Sequence, residues 1–212
     1  VGSEMCIRDS FDAFHRPRQP VDVRPAAPGH PAHAGGHTLG ITAQDLDLIL
    51  QHMLVAPVVE QGMTKKLLYL PEGTWTSLLT GEVKEGGKWY TEKHGYLSIP
   101  LYVKEGSIVA MGARNDNAVY DYADGVTFRA YALKDGIKAE TVVYGTENEK
   151  EASANVVKNG SSYQIAVESN KASKVALMNV GAPKQVNGAS YTQDGENVIV
   201  EFHGDGKAEV VF

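Results

Sequence analysis

The sequence predicts an all-β protein with two antiparallel β-sandwich-like domains, preceded by a poorly ordered segment. After residue 60, short runs rich in valine, isoleucine, tyrosine and threonine recur along the chain. Asn-Gly and Asp-Gly pairs separate many of these runs, and glycine in such pairs supplies the positive φ that tight hairpins require. Strands at this spacing are typical of antiparallel sandwiches rather than of parallel βαβ units.

Residues 1–40 form the poorly ordered segment, which we expect to be a disordered or non-native leader. Proline and histidine are concentrated in RPRQPVDVRPAAPGHPAHAGGHTLG, which shows no hydrophobic periodicity. Such a segment cannot bury enough apolar surface to offset the entropy of ordering it. The start of the chain, VGSEMCIRDS, also resembles translated sequencing-adapter sequence. Because the chain starts at Val1 without an initiator methionine, we expect it to be a fragment.

The first domain is predicted over residues 41–132. A short helix is expected around residues 43–51, because apolar residues recur there at helical spacing: Leu46, Ile49, Leu50 and Met53. The run from Met53 to Val59 is rich in valine, and Pro57 within it is typical of an edge strand. Further strands are expected over Lys66–Leu70, Lys88–Thr91, Leu101–Lys104, Ser107–Met111 and Val126–Leu133.

The second domain is predicted over residues 133–212, after a boundary near Asp135-Gly136. Before this boundary the sequence is aromatic and irregular. After it, KNGSSYQIAVES and YTQDGENVIVEF alternate as strands do when one face of the sheet is solvated. Strands are expected over Ala139–Tyr144, Ala152–Val157, Tyr163–Glu168, Lys174–Asn179, Asn197–Phe202 and Ala208–Phe212.

Composition argues against several classes of partner and site. The formal net charge of −6 argues against nucleic acid and anionic membranes as partners. No apolar run approaches the roughly 20 residues of a membrane helix, and residues 1–40 contain no run like a signal-peptide core. Cys6 is the single cysteine, so we expect neither a disulfide framework nor a thiolate metal cluster. A single cysteine suits a reducing compartment, which favours the cytoplasm.

An aromatic group in the first domain has two interpretations. Its members are Trp75, Trp89, Tyr90, Tyr96 and Tyr102. Flat rings can stack on sugars, so the group could form a carbohydrate platform. The interpretation that we favour is that the rings fill a sandwich core, where each buries roughly 150–250 Å².

Three groups of titratable side chains are candidate sites, and each has a simpler interpretation. An acidic loop misses the EF-hand spacing and favours a hairpin turn: Asp116, Asp121 and Asp124. A histidine run has no carboxylate or cysteine nearby and is best explained by composition: His30, His33 and His37. A set of glutamates falls in or beside predicted turns, where water keeps them ionised: Glu60, Glu72, Glu82 and Glu85. The residues alone therefore predict no catalytic, cofactor-binding or metal-binding site.

Three motifs follow one another in the first domain: an "LVAPV" strand at Leu54–Val58, a "YLPxGxW…TGE…GG" turn region at Tyr69–Gly87, and a "PLYVxxGSI" strand pair at Pro100–Ile108. Together they resemble the segment that follows the catalytic barrel in glycoside hydrolase family 31. All three occur in the order and at about the distances of the family. TSLLTGE…WYTEKHGYLSIPLYV, followed by YDYADGVTFRAY, is more similar to the α-xylosidase branch than to the α-glucosidase branch.

The resemblance implies a fold, and it implies where the catalytic residues of the family lie. It implies a proximal β-sandwich packed against the barrel and a distal β-domain, with two catalytic aspartates on barrel strands that precede Leu54. It therefore carries no catalytic residue and no cofactor over to this chain, and oligosaccharide substrates would bind through the barrel. Pro71, Gly73 and Gly81 would shape turns that Trp75 and Trp89 lock into the core. The alternative is a stand-alone carbohydrate-binding or interaction module.

Overall fold

The computed structural model describes residues 52–58, 62, 64–95, 98–117, 119–147 and 149–212. These residues form sixteen β-strands, and none of them belongs to a helix. The part of the chain that is described therefore contains no helix that could cross a membrane. The predicted leader and the predicted helix around residues 43–51 lie outside the described residues.

The first unit contains two sheets. Sheet I has the strand order β1-β6-β3-β4, and sheet II is the ribbon β2-β5. Every strand pair in both sheets is antiparallel. The strands are β1 (Met53–Val55), β2 (Lys65–Leu70), β3 (Thr74–Ser77), β4 (Val83–Glu85), β5 (Lys88–Lys93) and β6 (Leu101–Lys104).

The second unit is a sandwich of two five-stranded sheets. Sheet III has the order β14-β15-β12-β8-β7, and sheet IV has the order β13-β16-β11-β10-β9. β8 and β12 are parallel, and the other pairs are antiparallel. The strands are β7 (Ser107–Met111), β8 (Val126–Tyr131), β9 (Lys138–Tyr144), β10 (Lys150–Asn159), β11 (Ser162–Ser169), β12 (Ala172–Met178), β13 (Gln185–Asn187), β14 (Ser190–Asp194), β15 (Asn197–His203) and β16 (Gly206–Val211).

Each unit has its own apolar core. The core of the first unit is small and lies between sheets I and II: Leu54, Leu68, Leu70, Trp75 and Tyr102. The core of the second unit is larger, because long strands alternate inward apolar residues with outward polar ones. On β11, for example, Tyr163, Ile165 and Val167 are buried and Gln164 is exposed. This alternation confirms the all-β, sandwich-like fold.

Each of the predicted strands overlaps an observed one, but four observed strands were not predicted. These are β3, β4, β13 and β14, which are three to five residues long. A strand of this length is too short to show a period of two convincingly. The turns were easier to predict: Gly125, Gly136, Gly160, Gly188 and Gly195 all have positive φ.

The aromatic turn region contains one glycine that the packing requires. A Cβ on Gly86 would lie 1.7 Å from the carbonyl oxygen of Pro71. The Gly86 amide also donates to the Gly73 carbonyl at 2.7 Å. The Gly-Gly pair of the "YLPxGxW…TGE…GG" motif therefore lets two turns touch through their backbones.

The units meet at the turn between β6 and β7. The predicted domain boundary at 132/133 lies further along the chain, between β8 and β9. A boundary there would assign β7 and β8 to the first unit, although β8 is hydrogen-bonded along its whole length to β12 of the second unit. The chain passes from sheet I to sheet III at Glu105–Gly106, in the turn between β6 and β7.

Candidate functional site

A polar cluster lies between the two sheets of the first unit, beside the apolar core. On sheet I, Lys84 is paired with Trp75 and Tyr102 is paired with Leu54, so both side chains point toward the core. On sheet II, Glu92 and Tyr90 lie on the face that carries Leu68. We call Lys84, Glu92, His94, Ser98 and Tyr102 the Glu92 cluster.

The Glu92 carboxylate is the centre of this cluster. One of its oxygens, Oε1, accepts hydrogen bonds from Lys84 Nζ and from the Tyr102 hydroxyl. The other, Oε2, lies 3.0 Å from His94 Nε2. Because an ionised carboxylate only accepts, His94 Nε2 carries the proton in this contact, and Nδ1 lies within hydrogen-bonding distance, 3.2 Å, of Ser98 Oγ. A series of hydrogen bonds thus connects β4 with the loop before β6.

Electrostatics keep the pair between Lys84 and Glu92 ionised. Burial opposes the charge on Glu92, but the hydrogen bonds from Lys84, Tyr102 and His94 outweigh it and hold the pKa of Glu92 below its usual range. Burial also opposes the charge on Lys84, yet the bonds to Glu92 and Tyr102 raise the Lys84 pKa. Burial and the bond to Glu92 raise the pKa of Tyr102 to about 12. A carboxyl with a lowered pKa is poorly suited to donate a proton near neutral pH.

The cluster lines a groove of about 400 Å³ with an apolar rim. Leu79 and Ile99 form the rim, and their side chains are 55% and 38% exposed. Lys84 and Glu92 are only 13% and 11% exposed. The groove therefore combines a polar floor, whose charges are paired, with an apolar rim that faces solvent.

The structure separates the predicted aromatic group. Trp75 and Tyr102 are each 2% exposed and belong to the core, and Tyr90 packs against it. The expectation that Trp89 also locks into this core was wrong. Neighbouring residues of a strand point to opposite faces, so Trp89 points away from the core that Tyr90 contacts. Its ring lies 5.3 Å from that of Tyr69 on the outer face of the ribbon. Tyr96 lies outside the described residues.

The predicted acidic loop does not converge on one point. Asp116 pairs with Arg114 at the surface. Asp121 accepts from the backbone amides of Ala123 and Asp124 and pairs with Lys171 at 2.6 Å. Within the described ranges, no group of three or more His, Cys, Asp or Glu side chains could hold a metal ion. The run of His30, His33 and His37 lies outside those ranges.

The predicted glutamates remain apart, and the glutamate at the centre of the cluster was not among them. Glu85 pairs with Lys88 at the surface, whereas Glu82 lies 3.6 Å from Lys84 at the edge of the groove. Glu60 lies outside the described residues. Glu92 could have been found from the alternation of β5, because Glu92 and the aromatic Tyr90 share one face of that strand.

Two family models match the chain in succession. Residues 30–109 match the model described as "Glycosyl hydrolase family 31 C-terminal domain". Residues 121–212 match the model described as "Alpha-xylosidase YicI, C-terminal domain". The chain carries the C-terminal domains of glycoside hydrolase family 31. The first match begins inside the predicted leader and therefore includes residues 30–40.

The curated relatives of these family 31 domains include two α-xylosidases. Alpha-xylosidase XylQ of Lactiplantibacillus pentosus is 37% identical over 95 residues, which cover 43% of this chain and 12% of XylQ. The alpha-xylosidase of Saccharolobus solfataricus is 33% identical over 86 residues, which cover 40% of this chain and 12% of that enzyme. The chain thus spans about an eighth of the length of these relatives.

A solved structure of a family 31 enzyme shares the fold. The dextranase of Flavobacterium johnsoniae, in complex with isomaltotriose, matches with a TM-score of 0.64 and 18% identity. The match covers 76% of this chain and 26% of the dextranase. At this identity, the likeness concerns the fold alone.

Proposed function

We propose that this chain is the non-catalytic C-terminal portion of a retaining α-glycosidase of the α-xylosidase type, where it supports a catalytic barrel. The observation that carries the proposal is the succession of the two family matches, the second of which belongs to an α-xylosidase. The substrate would be an oligosaccharide bound by the barrel. The oligosaccharide in the family 31 dextranase structure supports this class of substrate.

The chemistry of the described residues supports a non-catalytic role. Retaining cleavage needs two carboxyl groups about 5–5.5 Å apart, one of which protonates the leaving oxygen. Among the described residues, each carboxyl whose pKa is shifted has a pKa below its usual range: Glu92, Glu105, Asp116, Asp121, Glu140 and Glu168. These carboxyls are therefore tuned toward the charged form, which is the opposite of what an acid catalyst needs.

The groove over the Glu92 cluster would be the surface that contacts the barrel. Its floor is satisfied internally, because Lys84, Tyr102 and His94 all bond to Glu92. What remains for a partner is the apolar rim of Leu79 and Ile99. Exposed apolar side chains at the edge of a groove whose polar groups are already paired suit a protein contact. The carbohydrate-module alternative is less well supported, since Trp75 and Tyr102 are buried and cannot stack on a sugar, which leaves Trp89 with Tyr69 on the outer face of the ribbon.

A hybrid enzyme tests this proposal. Residues 53–212 would replace the matching C-terminal region of the Lactiplantibacillus pentosus α-xylosidase, and hydrolysis of an aryl α-xyloside would be measured. We expect the hybrid to be active. We expect Leu79→Asp with Ile99→Asp to lower the activity roughly tenfold or more, because a charge buried at a contact without a partner is costly.

The matched control is Ile137→Asp, which alters another exposed apolar residue, in the second unit and 54% exposed. It should leave the hybrid as active as the parent hybrid. A folded hybrid without activity would contradict the supporting role. An active hybrid that tolerates charges at Leu79 and Ile99 would contradict the assignment of the groove.

A further inference from the structure

Several described residues of the first unit are buried although they belong to neither core, and three of them alternate with core residues along their strands. Thr76, Leu101 and Val103 are 2%, 8% and 0% exposed. Val103 is paired with Thr76, and both alternate with Trp75 and Tyr102, which point into the core. These residues therefore lie on the outer face of sheet I, where solvent would be expected.

The second unit has a matching set. Ser107, Tyr131 and Ala176 are 1%, 2% and 3% exposed, and none of them belongs to its core. Tyr131 is paired with Ser107 and alternates with Ala130, which points into the core. These residues lie on the outer face of sheet III. Each unit thus has one buried face that its own core does not explain.

Polar contacts cross between the units beside these faces. Lys134 Nζ lies 2.8 Å from Glu105 Oε1. The side-chain amide of Asn179 donates to the Gly81 carbonyl at 3.4 Å. Gly81 ends the turn that carries Leu79, and its amide donates to the Ser77 carbonyl at 2.9 Å. The second unit therefore contacts the loop that forms the rim of the groove.

The backbone beside these contacts adopts an uncommon conformation. Ala132 and Asn179 have φ of 42° and 57°, and they directly follow β8 and β12. The left-handed region is strained for a residue other than glycine, and such a residue persists there only where its surroundings determine it. Both residues lie where strands of sheet III reach the first unit.

We infer that the outer faces of sheets I and III pack on each other, so that the second unit is a rigid support for the first. Tyr131 and Val103 lie at the centre of this joint, and Asn179 is a positioning residue for the Leu79 loop. The joint gives the first unit, whose own core is small, a second buried layer. The joint lies within the chain, so its packing does not depend on whether the groove contacts a barrel.

Hydrogen exchange of the full chain, followed by mass spectrometry, tests the joint. Tyr131→Ala removes a ring from the outer face of sheet III. We expect amide exchange in β3 and β6 of the first unit to accelerate at least about tenfold, since local opening follows the loss of packing. The control is Phe128→Ala on the same strand, which removes a ring from the second core and should mainly accelerate exchange in β10, β11 and β12.

A milder variant keeps the test valid if Tyr131→Ala does not fold. Asn179→Gly preserves the positive φ and removes only the side chain that reaches Gly81. We expect faster exchange at residues 78–82 and unchanged exchange in β10 and β11. If both variants change exchange in the second unit alone, the two faces do not pack on each other and the inference is wrong.

Discussion

Replacing Trp75 with alanine is expected to lower the free energy of unfolding by about 3–5 kcal/mol. The ring is 2% exposed and fills a small core, in which five of the described residues are buried, so neighbouring side chains cannot easily close the cavity. Its indole Nε1 also donates to the Pro71 carbonyl at 2.7 Å, which ties the aromatic turn region to the core. Urea unfolding followed by circular dichroism would measure the change.

Trp89→Ala is the matched control, because it removes the same side chain from the opposite face of the ribbon. We expect a loss of about 1 kcal/mol, as is typical of a partly exposed residue. Equal losses for the two tryptophans would show that the faces of the ribbon are assigned incorrectly.

Replacing Glu92 with glutamine is expected to destabilise the protein by about 3 kcal/mol, because the enclosed Lys84 would keep as counter-charge the exposed Glu82, 3.6 Å away, in place of its close partner. Replacing both partners, as Lys84→Met with Glu92→Leu, should restore most of that stability, since a buried ion pair often adds little over apolar residues of similar size. If the double variant is less stable than Glu92→Gln, the ion pair itself stabilises the fold, and the cost of an unpaired charge does not explain the loss in Glu92→Gln.

The same variant has a distinct pH dependence. The folded-state pKa of Glu92 lies below its unfolded value, which is about 4.3 in model peptides. The stability that Glu92 contributes is therefore fully present above that unfolded value and is lost as the pH falls through the folded pKa. The difference in unfolding free energy between the parent chain and Glu92→Gln should shrink below about pH 4. A difference that stays constant down to pH 2 would show that the charge of Glu92 is not responsible.

Much of the fold could be predicted from the sequence, because long strands carry their period of two and their turns carry Asn-Gly or Asp-Gly. β11 is such a strand. The segment TWTS could not be assigned, since four residues between turns show no period. Trp89 and Tyr90 are adjacent in one strand, so their side chains must point to opposite faces of the ribbon. The prediction that Trp89 lies in the core did not take this into account.

The candidate site was harder to predict than the fold. Lys84, Glu92 and Tyr102 lie on three strands of two sheets, and only the packing of those sheets brings them together. The contact between Asn179 and Gly81 joins residues 98 positions apart. Contacts of this kind depend on the arrangement of the two units, which no local pattern of residues encodes.

We expect that these family 31 domains do not cleave glycosides by themselves. The most direct measurement is the hydrolysis of an aryl α-xyloside by the purified chain, with the variants Glu72→Ala, Glu92→Gln, Asp116→Ala and Asp121→Ala assayed in parallel. We predict no release of the aryl alcohol above background for any of them. Turnover by the parent chain that disappears in one folded variant would contradict the claim and would place a catalytic carboxyl within the β-domains.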